Sequence, residues 1–490
     1  MNATHRRRLH AAALLAAVLA AACSSNVTAR DPATLGQLVE ESCGSLPVDG
    51  ARCARLAVRE NRADPRSRTI GLRIVTLAAT GPTPASDPIF LLAGGPGQAA
   101  SELLGYRSIA DPALRRRRDL VFADQRGTGG SNALTCRFYG PDTAQSYLDA
   151  FLPLEKVRAC RAELERRADL SQYTTAASVE DLEEIRAALG YERINLVGGS
   201  YGTRLAMEYA RRHEERVRAI VLDGPVPPSA RMPENFGSLA ERSLDLLLDE
   251  CVADAECARR FGDVRAHARG VFERLRRAPV TATVMAPGAL RPATVTLTRD
   301  HVAEAVRYMT YSAREASRVP LALHEAARGD YGSLAQFLLR WRSGGTFDGL
   351  YLSITCAEDV PFVSPDAAER DESTYLGGYR VRQQRAACAE WPRGAVPDWH
   401  GQPVHSDLPV LIISGELDPV TPPSHGEEVA RTLPNSLHIR VPFAGHSPHG
   451  LDGLACLDGL TREFIERGSV NGLDASCVAT EVRRAGFDTQ

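Results

Sequence analysis

From residue 71 onward, short apolar runs alternate with longer amphipathic stretches. Gly71–Leu77, Ile89–Ala93, Leu120–Ala123, Ile194–Val197 and Ala219–Leu222 are rich in Val, Ile and Leu. Continuous apolar runs of this length predict strands buried on both faces of a sheet. Between them the chain has helical periodicity. Ser178–Leu189 carries Ser178 with Asp181 three residues later, an N-cap signature, and stops at Gly190. Such alternation predicts an α/β core built on a mostly parallel sheet. The rhythm breaks after Pro225, Pro227 and Pro228. Helices are predicted over Leu239–Leu248, Val264–Arg277, His301–Tyr311 and Leu334–Trp341, and strands return at Val410–Ser414 and His438–Val441. Two consecutive domains would give this pattern. An α/β core (40–225 and 401–490) interrupted by a helical cap (226–400) fits better, because candidate catalytic residues fall on both sides of the interruption.

Composition narrows the class. The 490 residues are 44% hydrophobic and 24% charged, ordinary for a globular protein. A formal net charge of −3 gives no electrostatic reason to expect a nucleic acid partner. Arg6, Arg7 and Arg8 precede an alanine- and leucine-rich run ending at Ala22, too short to span a bilayer, so residues 1–22 read as an export leader. Leu19-Ala20-Ala21-Ala22-Cys23 approximates the bacterial lipoprotein signal, with the leucine one place too far from the cysteine; a plain signal-peptidase site at the alanines is the alternative. There are 11 cysteines, an odd number for an exported chain. With Cys23 as the lipidation site and new N-terminus, the rest fall into sequence-neighbour couples: Cys43/Cys53, Cys136/Cys160, Cys251/Cys257, Cys356/Cys388 and Cys456/Cys477. No Cys-x-x-Cys and no cysteine–histidine cluster has zinc spacing, so no metal is expected. Membrane contact is expected only through a lipid on Cys23.

The chemistry lies in three segments. Gly198-Gly199-Ser200-Tyr201-Gly202 follows a predicted strand and opens the helix Thr203–Arg212, the setting in which G-x-S-x-G presents a nucleophilic serine on a tight turn. The Tyr201 N–H, at the helix start, would face a developing oxyanion, and Gly95, in the glycine-rich loop Ala93–Gly97, would supply a second donor. That loop lacks the G-K-[ST] ending of a nucleotide loop. Asp418 leaves a late strand where an orienting acid is needed, with Glu416 as its rival. His446 follows the last strand as general base and is preferred to His449; His425 and His438 read as an exposed and a strand histidine. The histidine would take the serine proton and the aspartate would fix its tautomer, with no cofactor needed.

Together these segments resemble the tripeptidyl aminopeptidase and prolyl aminopeptidase branch of the α/β-hydrolases. The matches are Gly94-Gly95-Pro96-Gly97, Asp124-Gln125-Arg126-Gly127-Thr128-Gly129, Gly199-Ser200-Tyr201-Gly202, Val221-Leu222-Asp223-Gly224-Pro225 and Asp418-Pro419-Val420-Thr421. Similarity runs from about residue 50 to 480, and Cys356-Ala357-Glu358-Asp359 and Cys388-Ala389-Glu390-Trp391-Pro392 resemble segments of the secreted members. Prolyl aminopeptidases carry His before the Gly-Gly-Pro-Gly loop, where this chain has Ala93, which moves the resemblance toward the tripeptidyl type. It implies an exopeptidase acting on the free N-terminus of a peptide substrate. A carboxylate should then receive the ammonium, and Glu358, Asp359 and Glu234 are the candidates. A carboxylesterase on the same scaffold is the alternative, and a non-catalytic surface-binding lipoprotein a remote one. A metallopeptidase is disfavoured: His213-Glu214 and His324-Glu325 both lack the second histidine of H-E-x-x-H. The sequence gives no oligomeric state.

Overall fold

Strands form where the apolar runs lie, and two more precede them. The structure, a computed structural model, describes residues 34–489 apart from 45, 47, 106–111 and 141. The expected leader and Cys23 lie outside these residues. The strands are β1 (Leu38–Glu41), β2 (Ala51–Arg59), β3 (Thr69–Leu77), β4 (Ile89–Leu92), β5 (Leu120–Ala123), β6 (Ile194–Gly199), β7 (Val217–Asp223), β8 (Val280–Val284), β9 (Ala293–Leu297), β10 (Val410–Gly415), β11 (Ser436–Val441) and a short pair, β12 (Leu451–Asp452) and β13 (Arg483–Arg484). Nine of them make one sheet in the order β1-β2-β3-β5-β4-β6-β7-β10-β11. From β5 to β11 every pairing is parallel, and β1, β2 and β3 add an antiparallel edge. The central strands β4, β5 and β10 are buried throughout, as their unbroken apolar runs require.

Helices cover both faces. Thr175–Ala188 and Tyr201–His213 pack Val179, Leu182, Leu205 and Tyr209 on one side, and Leu454–Arg467 packs Leu460 and Phe464 on the other. The first of these helices starts earlier than its sequence signature suggests. Thr174 is the N-cap, accepting from the Ala177 N–H, while Ser178 lies inside the helix with its hydroxyl buried and unpartnered.

Between β7 and β10 the chain builds a second apolar core. Helices Phe236–Ala253, Val264–Arg277, Arg299–Met309, Val319–Ala327 and Gly332–Ser343 bury Leu247, Val271, Val306, Leu323 and Leu338 in one cluster. Leu417 and Val420, from the loop after β10, join that cluster and anchor the insertion beside the sheet's C-terminal edge. The insertion is not purely helical: β8 and β9 form an antiparallel hairpin whose alternation buries Ala282, Val284, Val295 and Leu297. Disulfides join Cys43–Cys53, Cys136–Cys160, Cys251–Cys257, Cys356–Cys388 and Cys456–Cys477, with Cα separations of 5.0 to 6.1 Å. Among the described residues no helix is long and apolar enough to cross a membrane, and no cluster of three or more His, Cys, Asp or Glu side chains is placed to hold a metal.

Candidate active site

Strand β6 ends at Gly199 and the helix Tyr201–His213 begins two residues later, leaving Ser200 to make the whole turn. Its backbone sits at φ 54° and ψ −123°, a conformation that costs a non-glycine residue about 1–3 kcal/mol. Three hydrogen bonds hold it there: the Ser200 N–H donates to the Asp223 carbonyl at 2.8 Å, and its own carbonyl accepts from Thr203 N at 2.9 Å and from the Thr203 hydroxyl at 2.5 Å. The flanking glycines are needed for space. A Cβ on Gly202 would stand 2.2 Å from the Leu92 carbonyl oxygen, and one on Gly198 2.5 Å from that of Gly202. The serine itself stays partly exposed.

The loop after β4 lies directly against this turn. A Cβ on Gly94 would come within 3.1 Å of the Gly199 oxygen and of Ser200 Cβ, and Gly95 holds φ at +106°. The Asp124–Gly129 motif supports the loop. Asp124 Oδ1 accepts from the Ser101 N–H at 2.8 Å, and Oδ2 accepts from Gly130 N at 3.0 Å. The fully buried Arg126 guanidinium grips Asp181 through two bonds of 2.6 and 2.7 Å, tying the motif to the helix behind the nucleophile. The motif thus braces the segment after the Ala93–Gly97 loop and the helix Thr175–Ala188.

On the far side of the turn, His446 Nδ1 lies 2.8 Å from Asp418 Oδ2. The same carboxylate oxygen accepts the Thr421 hydroxyl at 2.7 Å, and Oδ1 accepts from the N–H groups of Val420 (2.7 Å) and Thr421 (2.9 Å). Every lone pair of a buried carboxylate is thus answered, which keeps it ionised. Burial alone would raise its pKa, but the charge and hydrogen bond of His446 and the bonds from Thr421 outweigh burial and leave Asp418 at about 2. For His446 burial works against the imidazolium, and the charges of Asp418 and then Asp223 outweigh it, so its pKa lies above the ordinary histidine value. The imidazole and the serine share a floor. Asp223 accepts from the Ser200 N–H, and the adjoining Gly224 lies so close that a Cβ there would be 3.4 Å from His446 Cε1. The rivals point elsewhere: Glu416 faces Arg440 at 3.6 Å, and His449 is exposed. His425 is partly buried rather than exposed, because the helix Pro423–Ala430 turns it inward.

The three acids expected near a substrate ammonium are all committed within the fold. Glu358 accepts from the Thr175 N–H and hydroxyl, both at 2.6 Å, and burial pushes its carboxyl up to about 7 against those bonds. The Thr175 hydroxyl also meets the Tyr201 hydroxyl at 2.9 Å, so Glu358 lies behind the nucleophile turn. Asp359 is buried against Arg204 at 2.9 Å, and Glu234 pairs with Arg370 at 3.2 Å. Three residues not singled out as site residues lie against the Asp418–His446 pair. Thr421 belongs to the quoted Asp418–Thr421 motif and Asp223 to the motif after β7, so both were within reach of the sequence. Tyr311, whose ring is 5.1 Å from that of His446, comes from the cap and carried no local signal.

Residues 87–452 match the family described as alpha/beta hydrolase fold. The chain is 26% identical over 466 residues to serine protease Hip1 of Mycobacterium tuberculosis, covering 87% of each chain. It is 24% identical over 460 residues to a tripeptidyl aminopeptidase of Streptomyces coelicolor, covering 87% of this chain and 83% of that one. It is also 26% identical over 458 residues to a Mycobacterium tuberculosis protein called carboxylesterase B, covering 87% and 86%. With a family match over most of its length and an elbow serine beside an Asp–His pair, this chain is a hydrolytic enzyme and belongs to the α/β-hydrolase fold family.

Proposed function

We propose that this enzyme is an exported serine peptidase that releases residues or short peptides from free peptide N-termini. The observation that carries the chemistry is the 2.8 Å His446–Asp418 hydrogen bond beside a serine held at φ 54°. In this reading His446 Nε2 takes the proton of Ser200 Oγ as the oxygen attacks the scissile carbonyl. The oxyanion is received by the N–H groups of Gly95 and Tyr201, donors fixed before the reaction starts. The leaving amine takes its proton from His446, and water, activated by the same imidazole, hydrolyses the acyl-enzyme. Asp418 stays ionised throughout and stabilises the imidazolium.

The peptidase part rests on end-to-end similarity to a serine protease and a tripeptidyl aminopeptidase, together with the cap over the sheet's C-terminal edge. A substrate ammonium needs an opposing carboxylate. Glu358 reaches the nucleophile turn through Thr175 and Tyr201, whereas Asp359 and Glu234 are held by arginines. Glu358 would have to release Thr175 to take this role; Asp223, partly exposed, coupled to His446 and pushed up by burial to about 6, is the second candidate. Export, with Cys23 as lipid anchor, fits the five disulfides, which persist in oxidising compartments.

A carboxylesterase is the second reading, favoured by equal coverage of the relative so named. One comparison separates them: hydrolysis of alanyl-alanyl-prolyl p-nitroanilide, its N-acetylated form and a short-chain nitrophenyl ester. Cleavage of the free-amine anilide and not of the blocked one supports the aminopeptidase. Turnover of the ester alone removes the peptidase reading and leaves the esterase.

A further inference from the structure

Two arginines of the cap near His446 are buried with guanidinium nitrogens that no side chain answers. Arg307, on the last turn of the helix Arg299–Met309, is only 1% exposed, yet its Nε and Nη2 make no hydrogen bond. Its guanidinium lies 4.3 Å from the Phe236 ring centroid, 5.5 Å from that of Tyr308 and 5.4 Å from that of Tyr311. Across the same Phe236 ring, at 5.4 Å, is Arg380, 4% exposed, with its Nε also unpartnered and its Nη1 donating to the Tyr308 hydroxyl at 3.3 Å. The neighbouring carboxylate, Glu304, is taken by a third guanidinium, that of Arg342. Among the described residues Arg307 therefore faces aromatic rings with no carboxylate bonded to it, and Arg380 meets tyrosine hydroxyls and feels Glu304 only as a charge shared with Arg342.

This arrangement is costly unless something completes it. Aromatic faces attract a guanidinium, but they return less than is lost when the ion leaves water and its donors go unanswered. The position is also informative. Tyr311, one helical turn beyond Arg307, touches both the guanidinium and the His446 ring, the latter at 5.1 Å. Arg307 is thus one aromatic ring away from His446. The forked, always-charged guanidinium fits a planar carboxylate with two parallel bonds.

We infer that Arg307, assisted by Arg380, forms a carboxylate-binding subsite in the cap that selects substrates with an acidic group close to the scissile bond. The carboxylate comes either from an acidic side chain or from the C-terminus of a short peptide; the chemistry is the same. The substrate class rests on the peptidase reading, whereas the subsite itself does not.

The test compares kcat/KM within isosteric pairs. Ala-Glu-Ala against Ala-Gln-Ala p-nitroanilide reports a side-chain carboxylate, and tetra-alanine against its C-terminal amide reports a terminal one. Nitrophenyl hemiglutarate against nitrophenyl valerate reports the subsite even if no peptide is cut. The charged member of at least one pair is expected to lead by about tenfold or more, the worth of a hydrogen bond to a charged group. Arg307→Met is expected to bring that ratio close to one, and Arg307→Lys and Arg380→Met to lower it part of the way. A ratio taken within one variant does not move when a residue only supports the fold. If the wild type prefers no charged member in any of the three pairs, the subsite is refuted. A preference that survives in Arg307→Met, or in both Arg307→Lys and Arg380→Met if that variant does not fold, refutes it as well. Failure of the peptide pairs with turnover of the esters removes the peptidase reading and leaves the ester pair to decide the subsite.

Discussion

The ring of Tyr311 stands 5.1 Å from that of His446, its plane turned 65° from the imidazole, so the histidine paired with Asp418 in the core is walled by a residue of the cap. The backbone repeats the connection. Ser447 N–H donates to the Tyr311 carbonyl at 2.7 Å, and Arg314 N–H to that of His449 at 3.1 Å. The histidine loop is therefore held from both sides, by Asp418 in the core and by the first residues after the helix Arg299–Met309.

Gly445 shows how close that contact is. A Cβ there would lie 2.1 Å from the Thr310 carbonyl oxygen, which is backbone and cannot rotate away. Gly445→Ala should push the cap segment off the histidine loop. Overpacking of this kind costs about 1–3 kcal/mol, so a lower melting temperature is expected together with a fall in kcat/KM; unchanged kinetics would show that the two segments do not need each other.

Thr421 gives its hydroxyl to the Asp418 oxygen that binds His446, and lies 3.1 Å from the imidazole nitrogen. Thr421→Val keeps the shape and removes the bond, worth about 1.5–3 kcal/mol to a charged acceptor. A loss of about tenfold or more in kcat is expected, with the acid limb of the pH profile displaced, and Thr421→Ser should restore most of both. Equal activity in the valine variant would contradict the role.

The pH dependence has a definite sign. His446 must be neutral to act as base, and Asp418 and Asp223 raise its pKa above the ordinary 6.5. Activity should therefore rise with pH through a midpoint above 6.5. Asp223→Asn removes one of the supporting charges and should move that midpoint down. The same shift links to stability. Protonated His446 stabilises the fold fully below the unfolded value near 6.5, and this contribution is lost as pH rises through the folded pKa. Asp418, at about 2, contributes above its unfolded value near 3.8, and this is lost as pH falls toward 2. Melting curves of Ser200→Ala against pH read both limbs.

The strain at φ 54° should be visible in stability. Glycine tolerates positive φ, so Ser200→Gly is expected to abolish turnover and to stabilise the fold by about 1 kcal/mol in denaturant titration. A destabilised variant would mean that the serine side chain does structural work there.

Much of this site was legible in the sequence because its chemistry is local. The elbow glycines, the Asp418 loop and the His446 loop each occupy a few consecutive residues after an apolar strand, and each strand forms where its run predicts. What escaped was long-range or contextual. β2 was missed because its arginines break the apolar run, and the β8–β9 hairpin because helical patterns surround it. Thr174 rather than Ser178 caps its helix because Thr175 is fixed by Glu358, 183 residues away in sequence. Separations of 136 to 183 residues hid the fate of the expected amine-binding acids, whose partners Thr175, Arg204 and Arg370 lie on other elements. Arg307 gave no sign at all: an arginine on an amphipathic helix reads as solvated, and only packing against Phe236 and Tyr311 buries it.

The most direct test of the account is covalent labelling of the wild-type enzyme with a fluorophosphonate, followed by peptide mapping, with and without competing tripeptide amides. The account predicts a single adduct on Ser200, absent in His446→Ala, formed more slowly when a free-amine tripeptide amide is present and unaffected by its N-acetylated form. An adduct on another residue, or equal protection by the free and blocked peptides, would contradict it: the first removes the nucleophile, the second the recognition of a peptide N-terminus.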